Sequence, residues 1–107
     1  MSQLLAEIQR LAQAGEVRIS EHGYDELAED GIMAGEVVHG LATAQVVEEY
    51  ADYPKGPCLL VRQQERNGSM IHAVWGIPAG FESPAVLITA YRPDPRRWSD
   101  DFLRRKK

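Results

Sequence analysis

Apolar residues recur at helical spacing in the first part of the chain and at strand spacing in the second. Leu4, Leu5, Ile8, Leu11 and Ala12 line one side of a stretch whose other side carries Gln3, Glu7 and Arg10. That spacing predicts an amphipathic helix over 3–14, capped by Ser2 and ended at Gly15. Val17-Arg18-Ile19 reads as a short extended piece. Ser20 then caps a second helix, with Glu21, Asp25 and Glu26 in its early turns, where the helix dipole favours acids, and Tyr24, Leu27 and Ala28 as its apolar stripe. Gly31 ends it. Met33, Val37, Val38 and Leu41 predict a third, short helix that stops near 40–43, so two helices meet at a tight corner across Asp30-Gly31-Ile32.

The period then falls to two. Strands are predicted over 45–50, 58–63, 70–75 and 85–90. The last is rich in β-branched residues and bounded by Pro84 and Pro93, so it reads as the central strand. Asn67-Gly68 predicts a type I′ hairpin turn, in which both central residues need positive φ. Residues 76–84 form a loop, and Trp98 and Phe102, four apart, predict a last helical turn within 96–102. Helices first and strands afterwards give an α+β class: two or three N-terminal helices packed on one face of a four-stranded antiparallel meander. The other face of the sheet is then left open.

Composition narrows this picture. At 107 residues, 44% hydrophobic and 26% charged, the chain has the length and balance of one ordinary globular domain. It has no apolar run long enough to span a bilayer and no basic-then-apolar leader, and its one cysteine, Cys58, cannot form an internal disulfide. A cytoplasmic protein without a membrane partner is the expectation. The net charge of −4 conceals a split. Residues 1–52 hold eleven acids against two arginines, a balance of −9, and residues 53–107 hold five acids against ten bases, a balance of +5. Four of those bases form the tail Arg104 to Lys107. The split fits either a basic half that meets a polyanion or two complementary halves of one domain.

Several chemistries lack their motif here: there is no Gly-rich phosphate loop, no His-Glu-x-x-His, no cysteine pair and no Gly-x-Ser-x-Gly. Three histidines remain. His39, beside Gly40, reads as a surface residue. His22 falls in the first turn of the second helix, where the dipole disfavours imidazolium while the neighbouring acids favour it. The bland alternative is an exposed residue near the cap. His72 lies mid-strand among Ile71, Ala73 and Val74, where the bland alternative is a half-buried packing histidine. Counting inward from the 76–84 loop places His72 opposite residue 88 or 89, beside Thr89 or Tyr91. Arg92 then adds a cation, with Arg18 at the rim. His, Tyr and Arg on one sheet face can cleave a phosphodiester without metal or cofactor, and they can equally just bind an anion. No short ligand spacing supports zinc. Cys58, alternating with Leu60, reads as a small buried hydrophobe.

Arg18-Ile19-Ser20-Glu21-His22 leading to Asp30-Gly31-Ile32, then Ile71-His72-Ala73-Val74, then Ile88-Thr89-Ala90-Tyr91-Arg92-Pro93-Asp94, resembles the DUF4258 family of small uncharacterised bacterial proteins. More remotely it resembles the RelE/ParE and BrnT toxin superfamily. The resemblance implies one domain over 1–107, with a family core at about 17–94, a preceding helix and a tail at 95–107. It implies a RelE-like fold, and a toxin-like endoribonuclease that uses no metal. His22, His72 and Tyr91 would then be catalytic, Arg18, Thr89 and Arg92 would hold substrate, and the partners would be an antitoxin and RNA or the ribosome. RNA affinity comes mainly from neutralising phosphates, and in this acidic chain only Arg62, Arg92, Arg96 and Arg97 are candidates for that work. A second function class therefore stands beside the first: a non-catalytic domain that binds a protein through its sheet edge or first helix.

Overall fold

The structure, a computed structural model, describes residues 2–106; Lys107 of the basic tail lies outside them. Helix α1 (Gln3–Gln13) leads to a short strand β1 (Val17–Ile19), and helices α2 (Glu21–Asp30) and α3 (Ala34–Gly40) follow. After a 3-10 turn at Leu41–Thr43 come strands β2 (Gln45–Tyr50), β3 (Cys58–Gln64), β4 (Met70–Gly76) and β5 (Ala85–Tyr91). The class is α+β, as the change of period predicts.

The sheet itself departs from the expected four-stranded meander. It is mixed and five-stranded, in the order β1-β5-β4-β3-β2. Strands β2 to β5 do form an antiparallel meander. The three-residue piece β1 joins it parallel to β5, with Val17 opposite Ala85 and Ile19 opposite Leu87. Parallel neighbours need a long connection, and here everything from α2 to β4 supplies it. Three residues carry no period of their own, which hides β1 in the sequence.

The β3–β4 hairpin tip falls at Asn67-Gly68 as expected, but it is not a type I′ turn. The amide of Gly68 donates to the Glu65 carbonyl at 2.9 Å, and the Glu65 amide donates to that of Ser69 at 2.9 Å. Gly68 has φ of 93° and Asn67 does not have positive φ, because its carboxamide oxygen accepts from the Ser69 amide instead. The tip is therefore a three-residue loop with glycine in the left-handed position.

One sheet face carries Leu59, Val61, Ile71, Ala73, Trp75, Leu87 and Ala90 against Ile8, Leu11, Leu27, Val37 and Leu41 of the helical layer. Leu4 and Leu5 pack at its margin. Leu60, Val74, Val86 and Ile88, which the apolar pattern also nominates for the core, point to the opposite face; Leu60 and Val86 are buried there, and Val74 and Ile88 half-buried. That second face is not open, because the β2–β3 loop and the C-terminal tail lie over parts of it. Among its described residues the tail forms isolated turns and no helix. Trp98 and Arg105 instead form an antiparallel bridge, and the Ser99 amide donates to the Arg104 carbonyl at 2.8 Å.

Helix α2 is tied to the sheet by one serine. The Ser20 hydroxyl accepts from the Gly23 amide at 2.9 Å, capping the helix, and donates to the Ile88 carbonyl at 2.9 Å. The Ser20 amide donates to the Leu87 carbonyl at 3.0 Å. Gly23 lets the helix come this close, since a Cβ there would sit 2.9 Å from the Leu87 carbonyl oxygen. Leu27 is the buried member of the predicted stripe, whereas Tyr24 and Ala28 face outward. No helix among the described residues is long and apolar enough to cross a membrane.

Candidate functional site

His72 lies on the second sheet face, directly opposite Tyr91 rather than residue 88 or 89. Two features move the register. Gly76 is already paired with Val86, and Ile88 is an extra residue in β5, because Val74 pairs with Thr89 while Trp75 pairs with Leu87. The bulge survives because the Ser20 hydroxyl takes the Ile88 carbonyl. Thr89 shares the His72 face two pairs further along, opposite Val74.

The tail closes over His72. Trp98 stands edge-on to the imidazole with ring centres 4.4 Å apart, Tyr91 lies at 5.5 Å and Phe102 at 6.4 Å. Trp98 is itself buried and carries the Arg105 guanidinium 4.7 Å from its ring centre. Arg105 pairs with Glu48 of β2 at 2.8 Å, and Arg62 of β3 donates to the Asp101 carbonyl at 2.8 Å. These ion-pair and backbone contacts hold the tail to the sheet, and His72 is left with no solvent exposure.

Both ring nitrogens are engaged. Nε2 lies 2.7 Å from the Phe102 carbonyl oxygen, and Nδ1 lies 3.3 Å from the Tyr91 hydroxyl. A carbonyl only accepts, so Nε2 carries the proton in the neutral ring, and Nδ1 accepts from Tyr91. Burial lowers the His72 pKa below the ordinary 6.5; the Phe102 carbonyl opposes this, and the charges of Arg105 and Arg62 add to it. Burial likewise raises the Tyr91 pKa. The result is a neutral, enclosed imidazole at neutral pH.

The other predicted site residues lie elsewhere. His22 is exposed on α2, 3.4 Å from Glu26, and lines a cleft with Arg18 near Gly76. Gly76 is four residues from His72 along β4, or roughly 13 Å at strand rise. The structure therefore does not bring His22 to His72. Nor does it bring Arg92 to Tyr91. The Arg92 side chain pairs with Glu65 and donates to the Asp30 carbonyl, and its amide donates to the Asp30 carboxylate at 2.8 Å. It clamps the end of α2 to β5 and the β3–β4 hairpin, because successive residues alternate faces and Arg92 follows Tyr91. Of the six predicted site residues, His72, Thr89 and Tyr91 share one neighbourhood, Arg18 and His22 share another, and Arg92 stands apart. The sequence reading missed Trp98, Phe102 and Arg105 around His72. The spacing of the two aromatics was their one signal, and it read as helix.

His39 is exposed. Cys58 is buried, and desolvation raises its thiol pKa, which opposes use as a nucleophile. Among the described residues no group of three or more His, Cys, Asp or Glu could hold a metal ion.

The chain is thus a small α+β domain whose sheet faces are covered by helices on one side and by its own tail over His72 on the other. It belongs to the family described as Domain of unknown function (DUF4258), which matches residues 19–92. That span runs from the residue before the Ser20 cap to Arg92, and so includes both the serine tie and the His72–Tyr91 pair. No curated protein and no solved structure matches the chain.

Proposed function

We propose that this chain is a non-catalytic binding domain that takes a basic protein segment along the β2 edge of its sheet. The observation that carries the reading is the state of His72. The one histidine on the inner part of the sheet is sealed by Trp98 and Phe102, and both its nitrogens are used within the chain, so it offers no proton to a substrate. The β2 edge, by contrast, is open. Among the described residues its backbone pairs only with β3, and beside it a groove under α1 is lined by Leu5, Ala6, Gln9, Val46 and Glu49. Strand addition to such an edge supplies affinity through main-chain hydrogen bonds and specificity through side-chain pockets. Glu49, which is exposed on this edge, and the −9 balance of residues 1–52 favour a basic partner.

The competing reading is a toxin-like endoribonuclease held by an antitoxin. It draws on the His72–Tyr91 contact, and it requires the tail to lift and a second acid–base group to replace the distant His22. One set of experiments separates the two. The intact protein is assayed for RNA cleavage with and without ribosomes, and for growth arrest on expression. It is also titrated with lysine-rich extended peptides of alternating pattern, beside the Val46→Lys/Glu49→Lys double variant. The binding reading expects no cleavage and no arrest, with peptide binding lost in the folded variant. Cleavage that disappears in His72→Ala would establish the enzyme instead.

A further inference from the structure

The cleft beside Arg18 is a built cavity distinct from both the His72 cluster and the β2 edge. It has a volume of about 440 Å³, within the range of small-molecule sites. Its floor is the apolar pair Val86 and Ile88 of β5, and its walls carry Arg18, His22, Tyr53 and Lys55. Three features point to a ligand.

The first is charge. Five basic side chains of this acidic protein are held in ion pairs: Arg10 with Glu7, Arg66 with Glu36, Arg92 with Glu65, Arg96 with Asp94 and Arg105 with Glu48. Arg18 and Lys55 have no side-chain hydrogen bond or ion pair among the described residues, yet they come from distant parts of the chain to line one cavity with His22. Two exposed cations 37 positions apart thus line one cavity on a chain of net charge −4, and a cleft lined by one sign of charge favours an anion.

The second is shape. Tyr53 stands at the cleft, 49% exposed, with no partner for its hydroxyl among the described residues. An aromatic face beside an apolar floor accepts a flat ring.

The third is rigidity. The loop that carries Tyr53 and Lys55 is fastened by backbone bonds: the Gly56 amide to the Tyr53 carbonyl at 3.0 Å, the Ile77 amide to the Pro57 carbonyl at 3.1 Å, and the Ala79 amide to the Lys55 carbonyl at 3.0 Å. Gly56, at φ of 130°, leaves no room for a Cβ, which would fall 2.1 Å from the Ile77 carbonyl oxygen. The cleft therefore exists before any ligand arrives, which removes much of the ordering cost of binding.

We infer that this cleft binds a small phosphomonoester of a flat ring compound, the chemical class that includes nucleoside monophosphates. The phosphate would lie between Arg18 and Lys55 with His22 at its side, and the ring would lie on Tyr53 above Val86 and Ile88. A phosphate dianion suits this site better than a single carboxylate, because two cations and the His22 ring, itself 3.4 Å from Glu26, line one cavity. The inference is independent of the β2-edge reading and involves no covalent step.

Calorimetric titration of the full chain tests it, with AMP, GMP and phenyl phosphate as probes and with adenosine and inorganic phosphate as controls. The three ring phosphates should bind and the two controls should bind far more weakly, with affinity falling as salt rises. Arg18→Ala and Lys55→Ala should each weaken binding about tenfold, as expected on losing a charge-assisted contact. Tyr53→Ala should bring phenyl phosphate down to the level of inorganic phosphate. All three side chains are exposed, and thermal melting verifies that each variant folds. A folded wild-type chain that binds none of the ring phosphates at millimolar concentration would overturn the inference. So would undiminished binding in the Arg18→Ala/Lys55→Ala double variant, or equal affinity for adenosine.

Discussion

Nε2 of His72 donates to the carbonyl oxygen of Phe102 at 2.7 Å, across 30 residues of chain. The bond closes the tail over the sheet and fixes the tautomer of a ring that has no access to water. Burial of that ring, against which this bond works, makes the fold sensitive to acid.

The sign follows from burial. The folded-state pKa of His72 lies below its unfolded value of 6.5, so between those two values the unfolded chain binds more protons than the native one. Stability contributed by the neutral ring is complete above about pH 6.5 and is lost as pH falls from there through the folded pKa. Urea unfolding at pH 7.5 and pH 5.5 should show a drop for the wild type that is smaller in His72→Gln, where nothing titrates at that position. Equal drops in the two proteins would show that His72 is not the responsible group.

Trp98 is the main apolar contact of the tail with the imidazole, at 4.4 Å, and it is almost fully buried. Trp98→Ala should destabilise the fold by about 3 kcal/mol, from lost burial and the void left behind. It should also admit water to His72, so that an NMR titration finds the imidazole pKa moved up toward 6.5. A stable variant with an unmoved titration would mean that the tail does not seal the ring.

Ser20 and Gly23 act on one junction. Ser20→Ala removes a helix cap and leaves the Ile88 carbonyl without its hydroxyl donor; the expected loss is about 1–2 kcal/mol. Gly23→Ala gains about 1 kcal/mol in helix propensity, but its methyl meets backbone at 2.9 Å, and forced repacking of that kind costs about 1–3 kcal/mol. Net destabilisation is expected, read from the midpoint of chemical unfolding. Gly23→Ala more stable than wild type would place α2 further from β5 than the structure has it.

These residues also show what was legible in the chain. Strands β2 to β5 fall within a residue of their expected limits, since alternation and flanking Gly, Pro and Asn mark them locally. The register of β4 on β5 could not be read the same way. It depends on the Ile88 bulge, and that bulge depends on a hydroxyl 68 residues away. Which sheet face meets the helices was equally hidden. Leu59 and Leu60, or Val86 and Leu87, are apolar neighbours pointing opposite ways, and both faces are covered. At the candidate site the His72–Tyr91 contact was within reach of the sequence, because both lie on strands joined by one loop. The separation of His22 and Arg92 from it was not, because each is placed by tertiary partners, a cleft wall in one case and Asp30 with Glu65 in the other.

Gln63 tests the opposite sheet face, where the apolar pattern gives no hint of a polar link. Its side chain is buried, with 2% exposure. The carboxamide nitrogen donates to the Val37 carbonyl at 2.7 Å, and the oxygen accepts from the Trp75 indole N–H at 2.8 Å. One side chain thus joins α3 to β3 and β4 and satisfies two groups that no water reaches. In Gln63→Leu the volume is nearly kept, so no cavity opens, but the indole N–H and the Val37 carbonyl lose their partner. Each unsatisfied buried group costs about 1–3 kcal/mol, and extra apolar burial by leucine offsets part of that. The expected outcome is a net loss of about 2 kcal/mol, with the Trp75 fluorescence of the folded state altered by loss of its hydrogen bond. Gln63→Glu should be worse at neutral pH, because the carboxylate would face the Val37 carbonyl as one acceptor against another and would be ionised in a dry site. It should recover as pH falls and the carboxyl gains the proton that can donate there. Stability curves that run parallel for Gln63→Glu and wild type from pH 7.5 down to 5.5, after the fall due to His72 is subtracted, would remove Gln63 from its bridging role.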